Sequence, residues 1–163
     1  MSETYPELDY YMSEGISDVV FVVDGQRVPA LRDVLTIKSK VFEDLFSEIK
    51  SEEKVTEITV NDIDCEAFKT LIKWLYTERL DITDDKDIKS MGELMRIAVK
   101  YEIYRLIESI NERIEKVLTI DNFEQYCKTC DEMQYKDMIP ILRQYLYYNN
   151  EELKYHQKLS SSY

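Results

Sequence analysis

The sequence predicts an α/β domain: a small sheet of three or more strands flanked by a helical cluster, with further helices on its C-terminal side. Three observations carry this. Asp18-Val19-Val20-Phe21-Val22-Val23 is a β-branched run of strand length, closed by Asp24-Gly25. Val55 to Val60 repeats the strand signal, with Ile58 and Val60 pointing one way. From Asp64 onward apolar residues recur every three or four positions, the period of a helix face.

The elements follow in order. Residues 1–15 are polar and aromatic by turns, with room for one short helix around Leu8 to Met12. Asp24-Gly25 suits a type I′ turn, in which both central residues need positive φ, so Gln26-Arg27-Val28 is the returning strand. Pro29 is expected to end that strand and open a short helix through about Ile37. Ser39 is a plausible N-cap for a second helix, on which Val41, Phe42, Leu45, Phe46 and Ile49 form one apolar stripe. Lys50 to Lys54 is a charged connection to the third strand.

Asp64 is positioned to cap a helix from Cys65 to about Thr77, with Ala67, Phe68, Leu71, Ile72, Leu75 and Tyr76 facing inward. Asp81, Asp84, Asp85 and Asp87 mark a solvated loop. Helices are expected from about Asp87 to Tyr101, Tyr104 to Leu118, Asn122 to Met133 and Asp137 to about Asn149. Pro140 falls in the first turn of the last, where a missing N–H is tolerated. The expected organisation is an N-terminal segment (1–15), a domain (16–118), a helical extension (119–150) and a polar tail (151–163).

Composition excludes several function classes. With 33 acidic against 21 basic residues the net charge is −12, which opposes binding to nucleic acid or an anionic membrane. No apolar run reaches the ~18 residues of a membrane span. The acidic start Met1-Ser2-Glu3-Thr4-Tyr5-Pro6-Glu7 lacks the apolar core of a signal peptide, so a cytoplasmic or nuclear location is the expectation. The single histidine, His156, lies in the polar tail, which argues against histidine-based catalysis and histidine-rich metal sites. Gly15, Gly25 and Gly92 are the only glycines, and neither GxGxxG nor GxxxxGK[ST] can be written with them. Cys127 and Cys130 form a CxxC, but zinc would want two further Cys or His ligands, which are missing. The pair shares a helix face with Phe123 and Tyr126, so both cysteines are expected to pack as small apolar side chains. No cofactor, metal or catalytic residue is expected.

The order of motifs resembles the BTB/POZ family. The hairpin followed by Pro29-Ala30-Leu31-Arg32-Asp33-Val34-Leu35 resembles that family's two strands and "F-x-A-H-[RK]-x-x-L". Ser39-Lys40-Val41-Phe42 with Leu45-Phe46 resembles "S-x-x-F-x-x-[ML]-F". Asp62-Ile63-Asp64-Cys65-Glu66-Ala67-Phe68, then Leu75-Tyr76-Thr77, is similar to "D-V-x-P-E-A-F" leading to "[FL]-[IL]-Y-T-G". The resemblance covers about residues 16–118, and residues 119–150 are similar to the first helices of a BACK-type extension. Two positions depart from the pattern: Leu31 stands where the histidine is usual, and Glu78 where the glycine after Tyr-Thr would be.

The resemblance implies a non-enzymatic protein-interaction adaptor, a homodimer that recruits the N-terminal domain of cullin-3 for ubiquitin ligation of an unknown substrate protein. A scaffolding module that binds no cullin is the alternative. Implied cullin contacts are Ile49, Ser51, Glu52, Tyr76 and Tyr101, with serine at the position where glutamate is usual. Ile49 reads equally well as the last core residue of its stripe. Implied dimer-interface residues are Tyr10, Tyr11, Met12 and Val34, and Asp18 and Arg32 occupy the family's charged pocket.

Overall fold

A computed structural model describes residues 11–49, 54–80, 82 and 88–160, with side chains through residue 154. Three strands, β1 (Val19–Val23), β2 (Gln26–Ala30) and β3 (Thr56–Val60), form one sheet in the order β2-β1-β3. β1 and β2 are an antiparallel hairpin in register from Val19 opposite Ala30 to Val23 opposite Gln26. At its turn Asp24 and Gly25 take φ of 49° and 74°, the paired positive values anticipated from the Asp-Gly dipeptide. β3 runs parallel to β1, Val19 beside Thr56 through Val23 beside Val60. A parallel neighbour needs a crossover, and helices α1 (Arg32–Lys38) and α2 (Lys40–Glu48) supply it.

The expectation for Pro29 is corrected. It lies inside β2, opposite Val20, and α1 begins only at Arg32. β2 is an edge strand, so a residue without an N–H can sit in it without removing a central ladder bond. Residues 11 and 12 lie in a turn, with Met12 at φ 54°, and so outside the short helix expected around Leu8 to Met12; Leu8 to Tyr10 fall outside the described residues.

Helices cover the sheet. α2 is capped by the Ser39 hydroxyl, which accepts the Phe42 N–H at 3.2 Å. α3 (Cys65–Thr77) is capped by Asp64, whose carboxylate accepts the Ala67 N–H at 2.9 Å. α4 (Ile88–Lys100) and α5 (Tyr104–Val117) close the domain. At its centre Phe21 meets Phe42, Phe46 and Phe68, and Tyr101 stacks on Phe42 with ring centroids 4.4 Å apart. Such aromatic pairs add ~0.5–1.5 kcal/mol each beyond the area they bury.

α6 (Ile120–Glu132), a single 3₁₀ turn (Lys136–Met138) and α7 (Ile139–Ser160) follow. α6 starts two residues before Asn122 because Thr119 and Asn122 form a reciprocal capping box. α7 continues past Asn149 to Ser160, into the stretch expected as tail, with Leu153 buried. The extension docks on α4 through Tyr135, whose ring lies over Gly92. A Cβ built on Gly92 would fall 2.3 Å from that ring, so only glycine permits the approach.

Candidate interaction surface

The first turn of α1 organises the surface. Its N-cap residue, Leu31, has no side chain able to accept the free amides of a helix start, and distant residues do so instead. The Tyr76 hydroxyl oxygen accepts the Leu31 N–H at 2.9 Å, and the Asp18 carboxylate accepts the Arg32 N–H at 2.9 Å. A carboxylate there also complements the positive end of the helix dipole. Arg32 turns its guanidinium away from that carboxylate: Nη2 donates to the Asp18 carbonyl at 3.4 Å and to the Thr56 hydroxyl, and the group lies 5.5 Å from the Phe46 ring centre. Asp18 and Arg32 are therefore brought together, but through backbone amide and carbonyl. They tie β1, β3 and α1 at one corner.

Tyr76 and Tyr101 are core residues, 7% and 6% exposed. Helical periodicity puts both expected partner contacts on the apolar stripe, and the fold turns that stripe inward. Burial raises the Tyr76 phenol above its usual range, with the Asp18 charge adding to the rise. Burial alone pushes Tyr101 up to about 12. Tyr11 stands edge-on to Tyr76, centroids 6.0 Å apart, and donates its hydroxyl to the Lys69 carbonyl at 3.2 Å. Tyr11, Tyr76 and Leu31 thus form a chain from the N-terminal segment to the start of α1. Met12 and Val34 are half-buried against the same core. One turn after Val34, Ile37 is 80% exposed, an outward apolar side chain that the sequence pattern did not single out.

Ile49 ends α2 as its C-cap residue and is half-buried, packed on the core with a remaining outward edge. Ser51, Glu52 and Tyr10 lie outside the described residues.

Glu78, standing where the resembling pattern has glycine, takes the left-handed conformation itself, at φ 52° and ψ 23°. Its N–H donates to the Trp74 carbonyl at 2.7 Å, closing α3 as glycine would. Lys38 holds its carboxylate at 3.0 Å and Arg105 approaches at 3.6 Å. The hydrogen bond and charge of Lys38 bring the Glu78 carboxyl below the usual range. Lys38 also donates to the Leu75 carbonyl at 2.7 Å, so α1 is pinned to the end of α3.

Among the described residues no three His, Cys, Asp or Glu side chains cluster as metal ligands, and no helix is long and apolar enough to cross a membrane. A small sheet with a parallel crossover, its helix start held by Asp18 and Tyr76, matches a known domain: the family model for the BTB/POZ domain fits residues 8–118. The chain belongs to the BTB/POZ family. "BTB/POZ domain-containing protein 9" of human and of cattle are each 32% identical over 121 residues, covering 74% of this chain. The chain spans 19% of the length of those relatives. Among solved structures, the BTB domain of zebrafish PATZ1 superposes with a TM-score of 0.51 at 25% identity, covering 61% of this chain and 76% of that one. BTB/POZ domains are protein-interaction modules and generally non-enzymatic, and the chain carries such a module.

Proposed function

We propose that this BTB/POZ domain acts as a non-catalytic adaptor that pairs with a second copy of itself and brings a bound protein to a cullin-3 scaffold for ubiquitin ligation. The observation that carries this reading is the outward apolar edge formed by Ile37 at 80% exposure beside half-buried Val34 on α1, with Tyr11 and Met12 packed on the same core. An isolated surface isoleucine is ordinary, but two apolar residues at helical spacing beside a partly covered aromatic segment suit a self-complementary contact. Tyr10 adjoins that segment in sequence. Ile49 is the anchor proposed for the cullin, with Ser51 and Glu52 following it in the chain. Tyr76 and Tyr101 act from within, holding α1 and α2 where those contacts are made. The Asp18–Arg32 corner fixes the angle of α1. The adaptor's contribution is proximity: it raises the local concentration of one protein near another without chemistry of its own. We assign α6 and α7 to the opening of a BACK-type extension.

Ser51, in place of the usual glutamate, and the burial of both tyrosines favour a second reading, a self-associating scaffold that meets no cullin. Titration against the cullin-3 N-terminal domain, with mass measured by light scattering, separates the two. Sub-micromolar binding weakened about tenfold by Ile49→Ala, ~1.4 kcal/mol, supports the adaptor. A dimer mass with no binding at tens of micromolar supports the scaffold, and a monomer with no binding removes both.

A further inference from the structure

A separate pocket of about 230 Å³ lies between the end of α5 and α7. Sites for drug-sized ligands run to ~300–1,000 Å³, so this one is fitted to a single side-chain head. Ile141, Gln144, Tyr145, Tyr148 and Asn149 recur at helical spacing, and one face of α7 thus supplies most of its lining. Ile141 is buried, as is Leu118 at the end of α5. Two walls are tyrosines, and each is backed by another ring. Tyr145 stacks on Phe123 of α6 with centroids 5.4 Å apart, and Tyr148 stands edge-on to Tyr147 at 5.3 Å. The Asn149 side-chain amide donates to the Tyr145 carbonyl at 2.9 Å. The walls are therefore ordered before any ligand arrives, which lowers the cost of binding.

The pocket is negative. Among the described residues that line it, Glu115 is the only charged one, and its chain neighbour Lys116 is not part of the lining. Glu115 stands in the last turn of α5, where the helix dipole adds to its charge. Burial raises the Tyr145 phenol above its usual range, and the charges of Glu152 and Asp121 raise it further, so two more carboxylates act on that wall. Two aromatic rings, a carboxylate and no lining cation are the attributes of a cation site.

We propose that this pocket takes the methylated ammonium head of a lysine side chain carried by a basic partner protein. Ring faces attract a cation within ~6 Å of their centroids. Methylation keeps the charge of lysine, whereas the bare ammonium is strongly hydrated and gives up more on entering. A dimethylated head retains one N–H to donate to Glu115 and turns its methyl groups to the tyrosines. The net charge of −12 draws a basic segment toward the chain. No residue of α1 or α2 lines the pocket, so this contact stands apart from self-association and from cullin binding.

The test is an NMR titration of the isotope-labelled full chain with a capped pentapeptide whose central lysine is dimethylated, unmodified or acetylated. The dimethylated peptide should give saturable shifts centred on Glu115, Tyr145 and Tyr148. The unmodified peptide should bind roughly threefold more weakly, and the neutral acetylated one should not bind. Tyr148→Ala should weaken binding about fivefold and Glu115→Gln roughly threefold, while Tyr148→Phe, which keeps the ring, stays within about twofold. Tyr148 is 75% exposed and Glu115 is exposed, so the variants should fold, and their own spectra confirm it. Absence of saturable shifts at these residues overturns the proposal. So does an acetylated or unmodified peptide bound as tightly as the dimethylated one, or binding that survives Tyr148→Ala undiminished in a folded protein.

Discussion

Gly92→Ala sets two effects of opposite sign against each other. In a solvent-facing helix the change stabilises by about 1 kcal/mol, because alanine loses less backbone freedom than glycine on folding. In α4 the new Cβ would lie 2.3, 2.4 and 2.8 Å from three ring carbons of Tyr135, where ordinary carbon contacts are about 3.5–4 Å. The ring must withdraw by more than ~1 Å. It has little room: Tyr135 is 3% exposed, and its hydroxyl donates to the Glu93 carboxylate at 3.1 Å and reaches the Lys89 carbonyl at 3.4 Å. Overpacking of this kind costs about 1–3 kcal/mol, and loss of the hydroxyl's bond adds about 0.5–1.5 kcal/mol. The propensity gain offsets about 1 kcal/mol, leaving a net destabilisation of about 0.5–3.5 kcal/mol. Urea unfolding followed by fluorescence of the single tryptophan, Trp74, measures it from the shift in midpoint. The decisive comparison repeats Gly92→Ala on a Tyr135→Ala background, where the clash is gone and the substitution should stabilise. Stabilisation by Gly92→Ala in the unaltered chain would refute the reasoning, as would the same sign in both backgrounds.

Three further outcomes follow from described contacts. Asp64→Ala removes the cap of α3 and should lower stability by about 1 kcal/mol in the same urea assay, whereas Asp64→Ser should recover most of it. Glu78→Gln should weaken the Lys38 contact by removing its negative charge. Because the folded carboxyl titrates below its unfolded value, the contribution of that charge is present at neutral pH and lost as pH falls through the folded value. Urea midpoints of the unaltered chain and the Glu78→Gln variant should therefore differ slightly at neutral pH, given the half-exposed pair, and converge once acid has protonated Glu78 in both folded and unfolded states. Ile37→Glu should convert a dimer mass to a monomer mass in light scattering while leaving the urea midpoint of the monomer within about 0.5 kcal/mol, since the side chain is already in water.

Local signals were legible where one short stretch determines the outcome. Asp24-Gly25 dictates its own turn, and Ser39 and Asp64 cap helices that begin beside them. Pro29 misled because its preference against strands holds for central ones, and edge position is a property of the whole sheet. Ile37 and Tyr76 show the same limit from opposite sides: both are apolar residues at helical spacing, yet one ends in water and the other in the core. Only the packing of α1 against its neighbours decides between them. The sequence pattern ends α7 too early because Asn149-Asn150 is a weak helix former, overridden once Leu153 finds a buried place. The meeting of Gly92 with Tyr135, and of Cys130 with Met138, depends on how chain segments fold back, which no spacing in the sequence records.

The parallel pairing of β1 with β3 bears on how the chain is made. The β1–β2 hairpin is local and can form within microseconds, but β3 and both crossover helices must be synthesised before the other side of β1 is covered. At ribosomal speed that interval is on the order of seconds. Throughout it Val19 to Val23 presents an unpaired, wholly apolar strand edge, the kind of template that recruits other chains. The charged stretch Lys50 to Lys54, just ahead of β3, is of the kind that should help keep the incoming strand soluble until it docks. Substitutions that delay α1 or α2, such as loss of the Ser39 cap, should thus reduce the yield of folded protein by more than their effect on equilibrium stability.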